Sequence, residues 1–150
     1  MRKRDWIFVI TLILLDQLSK LYISSTMQVS ESIKVIEGFF HITYARNTGA
    51  AWSVGQGMGV LFVGIAVAMS IGIVYYLYKH SDVKPLTRLT LLLIISGGIG
   101  NAIDRIRLGY VVDFLDFYIF GYDFPIFNIA DCCITIAMFA MILILITDKE

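Results

Sequence analysis

Four long apolar runs restrict what this chain can fold into. They extend roughly over Trp6–Ser24, Gly59–Tyr78, Leu86–Ile103 and Asp131–Ile146. A helix needs about 20 predominantly apolar residues to cross the hydrocarbon core of a bilayer. With 58% hydrophobic residues and a mean hydropathy of +0.79, the 150-residue chain is too apolar for an ordinary soluble domain. The sequence therefore predicts an all-α membrane protein with four transmembrane helices, forming a single membrane-embedded domain over residues 1–150.

The two longer connections between these runs differ in composition. Residues 25–57 mix polar and alternating apolar positions with several glycines, a pattern typical of short strands. The connection between the third and fourth runs is rich in aromatic residues, which prefer the membrane interface. These are Tyr110, Phe114, Phe117, Tyr118, Phe120, Tyr122, Phe124 and Phe127. We expect a small extracytoplasmic β-rich segment between helices 1 and 2 and an interfacial aromatic segment between helices 3 and 4.

The distribution of basic residues predicts the orientation in the membrane. They cluster before the first run, between the second and third, and after the fourth: Arg2, Lys3, Arg4, Lys79, Lys84, Arg88 and Lys149. The positive-inside rule places all three regions in the cytoplasm. We therefore expect both termini to be cytoplasmic and the two longer connections to lie outside. The formal net charge of zero argues against nucleic acid as a partner.

Polar residues within and beside the apolar runs fall at the outer ends of all four predicted helices. In chain order they are Asp16, Lys20, Asn47, Asn101, Arg105, Asn128 and Asp131. Some of them have a simpler explanation: Asp16 and Lys20 are spaced as a self-neutralising i, i+4 pair, and Asn128 or Asp131 could cap a helix. Capping and pairing alone would place such residues on both sides of the membrane. Their concentration on one side predicts a single polar site at the outer boundary.

Carboxylates are the reactive groups that this site offers. The sequence contains no nucleophile elbow, no zinc-protease HExxH motif and no Cys–His arrangement. Two aspartates that share a proton can activate a water molecule for attack on an amide, while asparagine and arginine donors hold the substrate. Asp131 is one candidate for this pair, and spacing alone does not distinguish Asp113 from Asp104 or Asp116 as its partner.

Five motifs together resemble the lipoprotein signal peptidases, or signal peptidase II. They are L-D-x-x-x-K at Asp16 and Lys20, N-T-G-A-A-W from Asn47, G-G-x-x-G-N-x-x-D-R from Gly97, V-V-D-F at Asp113 and F-N-x-A-D at Asp131. The resemblance covers nearly the whole chain in order, with the same number of spans. Any one of these motifs is weak evidence for the family, whereas five motifs in the same order and register are highly specific to it.

This resemblance implies an aspartic endopeptidase of the bacterial inner membrane. Such an enzyme removes the signal peptide of a prolipoprotein by cutting before its diacylglyceryl-modified cysteine. The family's catalytic aspartates correspond to Asp113 and Asp131. Its other motif positions, which position substrate or support the site, correspond to Asp16, Lys20, Asn47, Gly97, Asn101, Arg105 and Asn128. Trp52 stands where the family more often has phenylalanine, which affects only the expected shape of the cleft.

The resemblance also implies the partners and the absence of cofactors. We expect no metal and no organic cofactor, with diacylglyceryl-modified signal peptides and membrane lipid as partners of a monomeric protein. A small transporter or proton channel would also place ionisable residues within its spans, but it would line both halves of the membrane. Another class of intramembrane aspartyl protease would offer G-x-G-D, where this chain has Gly98-Ile99-Gly100-Asn101. A purely structural membrane protein explains the spans but not the motifs.

Overall fold

Four long helices form the body of the molecule. A computed structural model describes residues 1–49 and 55–147, in which the helices are α1 (Lys3–Thr26), α2 (Gly59–Lys79), α3 (Pro85–Leu108) and α4 (Ile129–Thr147). All four are long and apolar enough to cross a membrane, which confirms the four predicted spans. The third helix extends to Leu108 rather than ending near Ile103, so the polar residues that follow the predicted span are helical.

A small antiparallel sheet lies beside the helix ends. Its strands are β1 (Ser32–Ile36), β2 (Phe40–Asn47), β3 (Val111–Ile119) and β4 (Tyr122–Asp123), in the order β1-β2-β3-β4. The β-rich segment predicted after the first helix is therefore present. The sheet is larger than predicted, because the aromatic segment between α3 and α4 supplies two strands. Phe117 of the aromatic segment stacks on Phe40 of β2, whereas Phe120 at the β3–β4 turn is fully exposed.

Helix α3 is the centre of the bundle, since it packs against the other three helices and is the most buried of them. Towards its first turns, Leu92 and Ile95 pack with Val9 of α1 and Leu77 of α2. Its other side meets α4, where Leu93 packs with Cys133 and Ala137. Helix α2 is the least buried of the four helices. A central helix held from three sides is a rigid support for polar groups at its end.

Close contact between α3 and α4 depends on a residue without a side chain. A Cβ atom at Gly97 would overlap the carbonyl oxygen of Ala130 and lie 2.6 Å from Ile134 Cγ1. Small residues at such positions allow helix backbones to approach closely. This contact brings the first turn of α4 against the last turns of α3, where the polar residues lie.

The sheet is joined to the helices by its own apolar cluster. Tyr44, Val112 and Phe114 from β2 and β3 pack with Ile23 and Met27 at the end of α1. These side chains are at most 9% exposed, so the sheet is fixed against the end of α1. The first residues of β3 are consequently placed beside the polar ends of the helices.

Candidate active site

One hydrogen-bonded network connects most of the polar residues that the sequence singles out. It joins Asp16, Lys20, Asn47, Asn101, Arg105, Asp113, Asn128 and Asp131. Gly97 contributes through the contact between α3 and α4 and not through a polar group. The residues come from three helices and two strands, and the network lies at the end of the bundle beside the sheet.

The Lys20 ammonium is the cationic centre of this network. It lies 2.8 Å from Asp16 Oδ2 and 3.1 Å from Asp104 Oδ2, and it donates to Asn101 Oδ1 at 2.9 Å. These three contacts account for its three N–H donors. Lys20 and both carboxylates are no more than 2% exposed. The predicted Asp16–Lys20 pair is thus part of a buried triad that ties α1 to α3.

The contact with Lys20 orients the Asn101 amide. Because its oxygen accepts from Lys20, its nitrogen is directed elsewhere and donates to Asp131 Oδ1 at 2.7 Å. The same oxygen accepts a second bond, of 3.2 Å, from Asn128 Nδ2. Asn101 therefore links the buried triad to the first turn of α4 through hydrogen bonds.

Asn128 and Asp131 cap the start of α4 reciprocally. The backbone N–H of Asp131 donates to Asn128 Oδ1 at 3.0 Å, and that of Asn128 donates to Asp131 Oδ2 at 3.2 Å. This is the geometry of a capping box, so the simple helix-cap interpretation is also correct. It leaves the Asn128 amide nitrogen available for a different acceptor.

That acceptor is Asp113 on β3. Asn128 Nδ2 donates to Asp113 Oδ1 at 2.6 Å, and Asn47 Nδ2 on β2 donates to Asp113 Oδ2 at 3.1 Å. Asp113 is only 2% exposed. Burial and, to a smaller extent, the negative charge of Asp131 raise the pKa of its carboxyl group to about 7, although the hydrogen bonds from the two amides lower it. Asp113 is thus poised to gain or lose a proton near neutral pH.

The two alternative aspartates occupy different environments. Asp104 Oδ2 accepts from the backbone N–H of Val112 at 3.1 Å, besides its contact with Lys20, so it joins α3 to the start of β3. Asp116 lies three residues after Asp113 on the same strand and therefore points to the other face of the sheet. There it accepts a hydrogen bond from Thr43. Of the three, only Asp113 bonds to the Asn128 side chain.

Arg105 secures the segment that follows β2. Its Nη2 donates to the carbonyl oxygen of Gly49 at 2.6 Å, and its Nη1 donates to that of Asn101 at 3.3 Å. The guanidinium also lies 5.1 Å from the ring centre of Phe62, a cation–π distance. The remainder of the N-T-G-A-A-W motif, from Ala50 through Trp52, lies outside the described residues.

Gln17 is a site residue that the sequence analysis missed. Its Nε2 contacts Asp16 Oδ2 at 3.2 Å, Asp104 Oδ1 at 3.0 Å and the carbonyl oxygen of Gly100 at 3.1 Å. It lies beside the buried triad and links α1 to α3 a second time. The sequence signal that could have identified Gln17 is a polar amide side chain inside an apolar span.

Comparison with known proteins identifies the family. Residues 8–147 match the family model described as signal peptidase (SPase) II. The curated lipoprotein signal peptidases of Staphylococcus aureus strains JH9 and Newman are each 40% identical over 144 residues, covering 96% of this chain and 88% of theirs. The chain belongs to the signal peptidase II family.

Solved structures agree with this assignment to the signal peptidase II family. A bacterial membrane enzyme determined by the in meso method at 2.3 Å resolution has a TM-score of 0.90 and 37% identity, covering 98% of this chain and 92% of that one. A second, at 1.9 Å, has a TM-score of 0.86 and 38% identity, covering 97% and 94%. Family membership and the four spans together describe a multi-pass membrane protein.

Proposed function

We propose that this lipoprotein signal peptidase is an aspartic endopeptidase in which Asp113 and Asp131 form the catalytic pair. It removes the signal peptide of a prolipoprotein by cutting before the diacylglyceryl-modified cysteine. The observation that carries this proposal is the link through Asn128, whose side chain bonds Asp113 while its backbone and side chain bond Asp131. A buried carboxyl group with a pKa of about 7 beside a second carboxylate is suited to sharing one proton with it.

In the proposed reaction, a water molecule held between the two carboxyl groups attacks the carbonyl carbon of the scissile peptide bond. The ionised carboxylate accepts a proton from the water, and the protonated carboxyl group donates one to the carbonyl oxygen. The carboxyl group that took up the water proton then donates it to the amide nitrogen, and a hydroxyl group of the tetrahedral intermediate returns a proton to the other carboxylate. The C–N bond breaks, which releases the signal peptide with a C-terminal carboxyl group and leaves the modified cysteine with a free amino group. The mechanism uses no metal and no organic cofactor.

The remaining residues of the network support this pair. Lys20 and Asp16 fix Asn101, and Asn101 bonds Asp131. Asn47 bonds Asp113 from the neighbouring strand. We assign these residues, with Gly97, Arg105 and Asn128, to positioning the carboxyl groups and the adjacent backbone, because precise placement of reacting groups contributes strongly to rate.

The same proposal includes the topology. The cationic ends of the helices face the cytoplasm by the positive-inside rule, which puts the polar network at the outer face of the cytoplasmic membrane. Lys149, one of the cations used for this inference, lies outside the described residues. The substrate's signal helix enters from the lipid, and the enzyme acts as a monomer consisting of one membrane-embedded peptidase domain.

Substitution of each aspartate tests the proposal. Purified Asp113→Asn and Asp131→Asn proteins should remain folded and fail to cleave a diacylated prolipoprotein peptide. The matched control is Asp123→Asn, which makes the same chemical change at an exposed position on β4 and should keep wild-type turnover. Near wild-type cleavage by either of the first two variants would remove the assignment.

Two further measurements test the rest of the proposal. Mass spectrometry of the products should place the cut directly before the modified cysteine. A peptide whose cysteine carries no lipid should be cleaved far more slowly than the diacylated one. Loss of activity in a chelator would point to a metalloenzyme instead.

A further inference from the structure

A cavity of about 350 Å³ lies at the opposite end of the helices from the catalytic network. It is an open cavity between the start of α1, the connection between α2 and α3, and the start of α3. Three arginines and two aspartates line it: Arg2, Arg4, Arg88, Asp5 and Asp82. One of the carboxylates, Asp5, is already paired with Arg88 at 2.7 Å. The wall therefore offers an excess of positive charge.

Arg88 is the most buried of the three arginines that line the cavity. Its side chain is only 9% exposed, with Nη1 bonded to Asp5 and Nη2 donating to the carbonyl oxygen of Ser81 at 3.3 Å. Its buried Nε finds no hydrogen-bond partner among residues 1–49 and 55–147. A buried cationic donor without an acceptor is costly, and an acceptor that entered the cavity would relieve this cost once the Arg88 side chain turned towards it. Arg2 Nη2 donates to the same carbonyl at 2.9 Å, which brings the two guanidinium groups to one wall.

The apolar part of the cavity lies deeper along the same helices. Phe8 follows Arg4 by about one turn of α1, and Leu92 follows Arg88 by about one turn of α3. Charged groups are thus at the helix ends and apolar groups lie towards the membrane centre. A phospholipid has the same order, with its phosphate at the surface and its acyl chains beneath. A free phosphate ion would contact only the charged part of the cavity.

We propose that this cavity binds the headgroup of an anionic phospholipid. Arg2, Arg4 and Arg88 surround the phosphate, while Phe8 and Leu92 contact the beginning of an acyl chain. Basic pockets between transmembrane helices on the cytoplasmic side are suited to such headgroups, and anionic lipids are concentrated in that leaflet. The proposed topology puts this end of the helices there.

Thermal unfolding in a neutral detergent micelle tests the proposal. The protein is titrated separately with phosphatidylglycerol, phosphatidylcholine and inorganic phosphate. Phosphatidylglycerol should raise the unfolding temperature at a lower concentration than phosphatidylcholine, and inorganic phosphate should not raise it over the same range. The Arg2→Gln/Arg4→Gln double variant should need about 30-fold more phosphatidylglycerol for the same stabilisation.

A charge-matched control separates a defined site from general attraction. Lys3→Gln/Lys79→Gln removes two cations from the same end of the helices, and neither lysine lines the cavity. This variant should respond to phosphatidylglycerol as the wild type does. An equal loss in both double variants would mean diffuse surface attraction, and stabilisation by inorganic phosphate alone would mean a free-anion site. Either result overturns the proposal, and neither depends on peptidase activity.

Discussion

Asn128 donates a 2.6 Å hydrogen bond to Asp113 and belongs at the same time to the cap of α4. Its side chain is fully buried. One asparagine therefore sets the distance and orientation between a strand carboxylate and a helix carboxylate. Asn128 thus has two functions, the hydrogen bond to Asp113 and the cap of α4. Substitutions that keep one of these functions and remove the other can separate them.

Replacing Asn128 by alanine should impair stability more than replacing it by serine does, and both substitutions should impair catalysis. Alanine removes the cap, at a cost of about 1 kcal/mol, and serine can restore it. Neither side chain reaches Asp113, so kcat/KM should fall by about 100-fold in both variants. Unfolding temperature and peptide cleavage measure the two effects. A serine variant with full activity would show that the bond to Asp113 is unnecessary.

The pKa of Asp113 predicts how activity depends on pH. A catalytic pair that must hold one proton loses it as the pH rises through the pKa of about 7, so kcat/KM should decline above that value. The negative charge of Asp131 contributes to raising this pKa. In Asp131→Asn the pKa of Asp113 should therefore be lower.

Infrared spectroscopy of the protonated carboxyl stretch can follow this titration in the inactive variant. The spectrum of an Asp113→Asn/Asp131→Asn double variant identifies the Asp113 band by subtraction. If the pKa of Asp113 is the same in Asp131→Asn as in the wild type, the two carboxyl groups do not interact.

The spans were predictable from sequence because a long apolar run is a local and strong signal. The polar network was predictable in outline for a related reason: the ends of successive membrane helices alternate between the two faces. Asp16, Asn101 and Asp131 could therefore be placed on one side of the membrane before any contact was known.

The aromatic segment shows where such inference stops. Apolar and aromatic residues are compatible with both an interfacial segment and a strand. Which of the two structures this segment adopts depends on its pairing with β2. The bond between Asn47 and Asp113 joins residues 66 positions apart and depends on an irregularity in pairing between Ile42 and Ala45. The same limit applies to Asp104, whose contact with Lys20 arises only when α1 packs against α3.

Loss of the Lys20 ammonium should destabilise the protein strongly. Lys20→Met leaves the carboxylates of Asp16 and Asp104 buried together without a cation, which should cost about 3–5 kcal/mol. The control is Lys34→Met, which breaks an exposed pair with Glu37 and should cost at most about 1 kcal/mol. Unfolding temperatures in the same micelle compare the two. Similar values would mean that the buried triad contributes little to stability.

Adding one methyl group to α3 should distinguish the two neighbouring glycines. A Cβ at Gly97 would overlap Ala130 O and press on Ile134, and relieving this contact must move α4 with Asp131. A Cβ at Gly98 would meet nothing nearer than Ala66 Cβ at 3.6 Å, an ordinary van der Waals contact. We expect Gly97→Ala to lose about 1–3 kcal/mol of stability and most of its activity, whereas Gly98→Ala should resemble the wild type. Thermal unfolding and peptide cleavage provide the comparison, and equal behaviour of the two variants would contradict a tight α3–α4 contact at Gly97.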